Sequence, residues 1–205
     1  QGISVCISDN ATTTYALAGA PFQNLGIGTF FGGGVMYDSV SDASFALEGT
    51  YSYTVFCDDA YAGEFTDINE AGDYFVYSAV SSTSFIELFK RTGSVWASDG
   101  TLAGFGVCRI SGNRLLVSGT NQQVAVYVYN GTSWALEQQL EPVGSFGTVE
   151  IMEIVNSDKV YYYLGTNIEV WTRLGSVWTK DATIVIPGVL GITAYDDILV
   201  YYTSG

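Results

Sequence analysis

Three short strings recur along this chain of 205 residues and set its spacing. Arg91-Thr92-Gly93-Ser94-Val95-Trp96 returns as Arg173-Leu174-Gly175-Ser176-Val177-Trp178, and between them stands Asn130-Gly131-Thr132-Ser133-Trp134. Trp96, Trp134 and Trp178 are 38 and 44 residues apart. A unit of about 40 residues cannot bury both of its faces alone, so it stacks on its neighbours. That restricts the chain to a repeat architecture before any local reading is made.

Each unit divides into short β runs separated by Gly, Asn and Ser. The clearest reads Val107 to Ile110, Leu115 to Gly119, Val124 to Tyr129 and Trp134 to Leu140. Asn130-Gly131 between the last two predicts a tight hairpin with positive φ at both positions, a type I′ turn. The following unit has runs at Lys159 to Gly165 and Ile168 to Trp171, and the preceding one at Tyr74 to Ala79 and Ser84 to Phe89. In the first unit Phe45 stands where the others have Trp. The expected blades are about 2–50, 64–103, 104–143 and 146–187, with a partial fifth at 189–205 and an insertion at 51–63. Four strands per unit of this length predict an all-β chain, a β-propeller of four full antiparallel blades plus part of a fifth. Trp96, Trp134, Trp178, Phe45, Phe105 and Phe146 are then expected to pack between blades.

Composition agrees with strands. Aromatic residues make up 15% of the chain, mostly Tyr and Phe, and charged residues only 14%. No long stretch repeats apolar residues at helical spacing, and no run of about 18 apolar residues spans a membrane. The net charge of −14 repels nucleic acid. Every Lys and Arg lies from Lys90 onward, so residues 1–89 carry 11 acids and no base. Cys6, Cys57 and Cys108 lack the spacing and the His of a metal cluster. A disulfide between two of the three suits an oxidising compartment, with the pair left open. Asn10-Ala11-Thr12 and Asn130-Gly131-Thr132 are glycosylation sequons, so Asn10 and Asn130 are candidate acceptors on a secreted or surface-displayed protein.

The marks Phe105-Gly106, Phe146-Gly147 and Gly19-Ala20-Pro21 resemble the FG-GAP repeat, the blade unit of integrin-α-like propellers and of many secreted bacterial and algal proteins. The resemblance implies adhesion, ligand binding or extracellular assembly. It also implies calcium loops of the Asp-x-Asp-x-Asp-Gly type in some blades. Asp58-Asp59, Asp196-Asp197 and Asp38 with Asp42 do not supply that alternation and read as turn acids accepting backbone hydrogen bonds.

With no His, Ser-His-Asp and Cys-His machinery cannot be built. Gly32-Gly33-Gly34 lacks the Lys and helix of a phosphate cradle. Paired carboxylates for glycoside chemistry can be drawn from any of the 21 acids, and spacing selects none. The expectation is therefore no enzyme, no cofactor and no catalytic residue. The chain reads as a non-enzymatic extracellular module, at a cell or virion surface, that associates with copies of itself or a larger assembly. A ligand-binding or adhesion propeller, with glycans as ligand, is the alternative.

Overall fold

The computed structural model describes residues 5–9, 13–19, 33–39, 46–52, 61–80, 84–103, 105–119, 123–141, 149 and 151–204. They form four four-stranded antiparallel sheets and one two-stranded sheet, each running through its strands in chain order. The first holds β1 (Val5–Asp9), β2 (Thr14–Gly19), β3 (Gly33–Ser39) and β4 (Ala46–Ser52). The second holds β5 (Tyr61–Ile68), β6 (Tyr74–Val80), β7 (Phe85–Thr92) and β8 (Val95–Ala103). The third holds β9 (Val107–Ser111), β10 (Arg114–Ser118), β11 (Val124–Tyr129) and β12 (Trp134–Glu141). The fourth holds β13 (Met152–Val155), β14 (Lys159–Leu164), β15 (Asn167–Leu174) and β16 (Val177–Val185), and the last β17 (Val189–Tyr195) and β18 (Ile198–Thr203). β4 and β5 take up both ends of the segment expected as an insertion. The chain divides into two compact units, 1–108 and 109–205.

In the first unit Tyr15 and Leu17 of β2 meet Phe75 and Tyr77 of β6, with Phe85, Phe89 and Trp96 closing the cluster. Trp96 meets Tyr15 edge-on at 6.3 Å and tilts over Phe75 at 4.8 Å, so the indole seats its own sheet on the preceding one. In the second unit Val155, Tyr161, Ile168 and Val170 of the fourth sheet bury against Val189, with Ile192, Ala194 and Leu199 packed alongside. Leu115, Leu116 and Val117 are consecutive and all fully buried, because a central strand of a stacked sheet is covered on both faces.

The two Arg-x-Gly-Ser-Val-Trp strings make two-residue hairpins: Thr92 pairs with Val95, and Leu174 with Val177. Gly93 and Gly175 sit at φ 65° and 66°, and the serines after them are not left-handed, which is the type II′ arrangement. Asn130-Gly131 does not behave as expected. Tyr129 pairs with Trp134 across a four-residue loop, and only Gly131 takes positive φ. Asn130 Oδ1 accepts from the backbone N–H groups of Thr132 and Ser133, each at 3.0 Å, and this side-chain turn replaces the I′ turn.

One irregularity recurs in all four complete sheets. The ladder between third and fourth strands slips by one residue at Met36/Tyr37, Leu88/Phe89, Val126/Tyr127 and Val170/Trp171. The fourth-strand residue left without a partner is Glu48, Asp99, Glu137 and Asp181 in turn. Each lies three residues after Phe45, Trp96, Trp134 or Trp178. A bulge bends its strand and turns successive side chains toward the same side, as Glu137 and Gln138 show by both meeting the next sheet.

Trp96→Ala is expected to lower the free energy of unfolding by about 3–5 kcal/mol. Val95→Ala, one residue away and exposed, is expected to cost under about 0.5 kcal/mol. Urea denaturation followed by circular dichroism separates the two.

Candidate functional site

Two polar clusters lie between the third and fourth sheets. The first is built on the β12 bulge, which turns Glu137 and Gln138 toward the next sheet. Glu137 Oε2 accepts from Arg114 Nε and Trp178 Nε1, both at 2.9 Å, and its Oε1 from Arg173 Nε at 3.0 Å. Gln138 exchanges two hydrogen bonds with the backbone of Trp178, each at 2.9 Å. Burial pushes the Glu137 carboxyl up, but hydrogen bonds from Arg114, Trp178 and Arg173 outweigh it and hold the group below its ordinary range. The cluster is a clamp between sheets, with every lone pair directed at a fixed donor.

The second cluster lies where β12, β14 and β16 end and β13 and β15 begin. Glu141, the last residue of β12, accepts from the buried Tyr162 hydroxyl at 2.9 Å. Trp171 Nε1 donates to that hydroxyl at 2.9 Å. Desolvation, followed by the negative charge of Glu141, raises the Tyr162 phenol far above its ordinary value. The phenol therefore stays protonated and remains a donor that aims the carboxylate. Beside it Glu169 is buried, pairs with Lys180 and accepts from Thr183 Oγ1 at 2.7 Å. Tyr162 and Glu169 are register partners on β14 and β15.

The first unit repeats part of this arrangement. Tyr77 and Glu87 are register partners, and Glu87 accepts from Tyr77 at 2.8 Å and Ser98 at 2.9 Å. Glu87 is 0% exposed, so water cannot reach it there. Glu141 is half-buried and still meets solvent. A carboxylate aimed by a neutral donor, with capacity left for water, can act as a general base.

The residues singled out from sequence distribute differently. Trp96 and Trp178 are buried against the preceding sheets as described above, while Trp134 is half-buried and contacts Tyr129 at 5.6 Å. Phe105 is buried just before β9. Asn130 is exposed, and its Oδ1 also accepts from Thr132 Oγ1 at 2.9 Å. Cys6 and Cys108 are thiols, the first 3.9 Å from the carbonyl of Leu17 and the second buried. Asn10, Phe45, Cys57 and Phe146 lie outside the described residues, as do Asp58-Asp59 and Ala20-Pro21 of the Gly-Ala-Pro mark. Asp196 and Asp197 spend their carboxylates on side chains of the fourth sheet, on Asn156 Nδ2 at 2.9 Å and on Lys159, rather than on turn backbone. Among the described residues no group of three or more His, Cys, Asp or Glu side chains is placed to hold a metal ion, and no helix is long and apolar enough to cross a membrane.

No protein-family model matches the chain, and no curated protein matches it in sequence. Its structure is similar to that of the periplasmic gluconolactonase PpgL of Pseudomonas aeruginosa. The TM-score is 0.56 at 13% identity over 89% of this chain. The chain spans 56% of the length of that protein. Four-stranded antiparallel sheets and this likeness together establish a β-propeller fold, without singling out the FG-GAP type.

The comparison corrects the functional expectation. A non-enzymatic assembly or adhesion module was inferred from the missing His and the repeat. This structural neighbour carries the name of an enzyme, so a β-propeller fold does not by itself exclude catalysis.

Glu137→Gln is expected to destabilise the protein by about 1–3 kcal/mol at pH 7, because Arg114 and Arg173 lose their counter-charge. A carboxyl held below its ordinary range stabilises the fold above the unfolded value, about pH 4.3, and that contribution fades as pH falls through the folded value. The difference between wild type and variant in urea titrations should therefore be full at pH 7 and shrink below about pH 4.3.

Proposed function

We propose that this chain is part of a propeller hydrolase acting on a small cyclic ester, of which a sugar lactone is the type. The observation that carries the reading is the Tyr162–Glu141 hydrogen bond, which aims a solvent-reaching carboxylate at the end of the third and fourth sheets. The likeness to a gluconolactonase supports the substrate class. Its periplasmic setting supports an exported location for this chain as well. Assignment to the FG-GAP type rests on the two Phe-Gly marks and the single Gly-Ala-Pro mark of the sequence.

In this reading Glu141 removes a proton from water as its oxygen attacks the lactone carbonyl carbon. The carbonyl electrons move onto oxygen, then return as the ring C–O bond breaks. The departing alkoxide takes up the proton held by Glu141, leaving an open-chain hydroxy acid and the carboxylate ready for another cycle. Tyr162 keeps its proton throughout and fixes the rotamer of Glu141. Trp171 fixes the phenol in turn.

Purified protein titrated at constant pH with a set of aldonolactones should consume base in proportion to enzyme. Glu141→Gln should reduce kcat by about 10²–10⁴-fold, with an unchanged circular dichroism spectrum. No base uptake with any lactone, or full activity in Glu141→Gln, overturns the proposal.

A further inference from the structure

The hydrolysis proposed above needs a donor for the carbonyl oxygen, on which charge gathers as water adds, and the Glu141–Tyr162 pair does not supply one. The single-proton donors described around that pair are spent. The Tyr162 hydroxyl goes to Glu141, the Trp171 indole to Tyr162 and the Thr183 hydroxyl to Glu169. Lys180 differs, because an ammonium carries three N–H donors and its partner is Glu169 alone among the printed ion pairs of this cluster. The Glu169 side chain is 5% exposed and that of Lys180 41%, so the ammonium is held from the buried side and open on the other. Register fixes its position. Lys180 is paired with Trp171, and Glu169 with both Tyr162 and Thr183. Residues directly opposite in an antiparallel pair point to the same side. Glu169 and Trp171 are two apart on β15, so all five side chains share one face of the fourth sheet. That face carries the phenol that aims Glu141. Arg114 and Arg173, the other cations at this interface, both go to Glu137.

We propose that Lys180 is a second catalytic residue of this site, an inference that rests on the hydrolase reading above. As the water deprotonated by Glu141 bonds to the lactone carbon, the carbonyl electron pair moves onto oxygen. The Lys180 ammonium donates a hydrogen bond to that oxyanion and keeps its proton. When the ring C–O bond breaks, the pair returns to re-form the carbonyl, and the hydrogen bond weakens. A charged donor aimed at the place where charge develops lowers the barrier without tightening the hold on the neutral lactone. Glu169 is a positioning residue. It draws the ammonium toward β15, and Thr183 fixes Glu169 in turn.

The test uses the full chain and the aldonolactone that wild type hydrolyses fastest. Lys180→Met should lower kcat about 10²–10³-fold and leave KM unchanged, since the lost interaction is made in the transition state. Lys180→Arg keeps the charge and should restore part of that loss. A cyclic phosphonate monoester, tetrahedral and anionic like the intermediate, gives a readout without turnover. Its affinity by calorimetry should fall in Lys180→Met by the same factor as kcat/KM, while a neutral lactam of the same ring size binds both proteins equally. Full kcat in Lys180→Met beside an inactive Glu141→Gln overturns the role of Lys180 and leaves the hydrolase reading standing. Equal weakening of phosphonate and lactam also overturns it, since the residue is then structural. A wild type inert toward every lactone overturns both.

Discussion

Stacking a short, twisted four-stranded sheet on another requires a side chain large enough to fill the wedge that twist opens between them. Here that side chain comes from the start of the fourth strand. Trp96 fills the wedge with aromatic contact, edge-on to Tyr15 and tilted over Phe75. Trp178 fills it with hydrogen bonds as well, through its indole to Glu137 and its backbone to Gln138. The same position thus tolerates an apolar or a polar partner. What it does not tolerate is loss of volume, because both faces of the central strands depend on the neighbour being held at packing distance.

The bulge that follows the aromatic serves the same contact. A regular strand would point consecutive side chains to opposite faces; the slipped ladder turns Glu137 and Gln138 together toward the next sheet. Acids at this position meet different donors: Asp99 receives the Tyr74 hydroxyl at 3.3 Å, Glu137 two arginines and an indole, Asp181 a threonine. The contrast with Glu141 is one of saturation. Glu137 is neutralised on every side and can only hold sheets together. Glu141 is aimed by one neutral phenol and keeps capacity for a water molecule. Two carboxylates four residues apart on one strand thereby meet different sets of donors.

Much of the architecture was legible in the chain itself, since short Val-, Tyr- and Leu-rich runs broken by Gly and Asn and repeated about every 40 residues have few folded outcomes. The Arg-x-Gly-Ser-Val-Trp strings became hairpins with glycine where φ is positive. Asn130-Gly131 misled, because Asn130 competes for the loop's N–H groups with its own side-chain oxygen, and that chemistry depends on Thr132 and Ser133 being adjacent. The bulge acids were visible in principle as Phe-Ala-Leu-Glu, Trp-Ala-Ser-Asp, Trp-Ala-Leu-Glu and Trp-Thr-Lys-Asp, an acid three places after each aromatic. Without the slipped ladder there is no reason to weigh that acid above its neighbours. The missing His closed off familiar triads and directed the functional reading away from catalysis, and no linear motif joins Glu141 to Tyr162.

Local rules act within a few residues, so the sequence by itself determined strand identity, the recurring unit and the buried indoles Trp96 and Trp178 at the start of two fourth strands. Which carboxylate is clamped and which remains available is a matter of residues 21 to 41 positions apart meeting across a sheet boundary, as Glu141 meets Tyr162 and Glu137 meets Trp178. That meeting depends on register, bulge and stacking together. Only the tertiary structure fixes all three, because each is set by the neighbouring strand rather than by the residue's own segment.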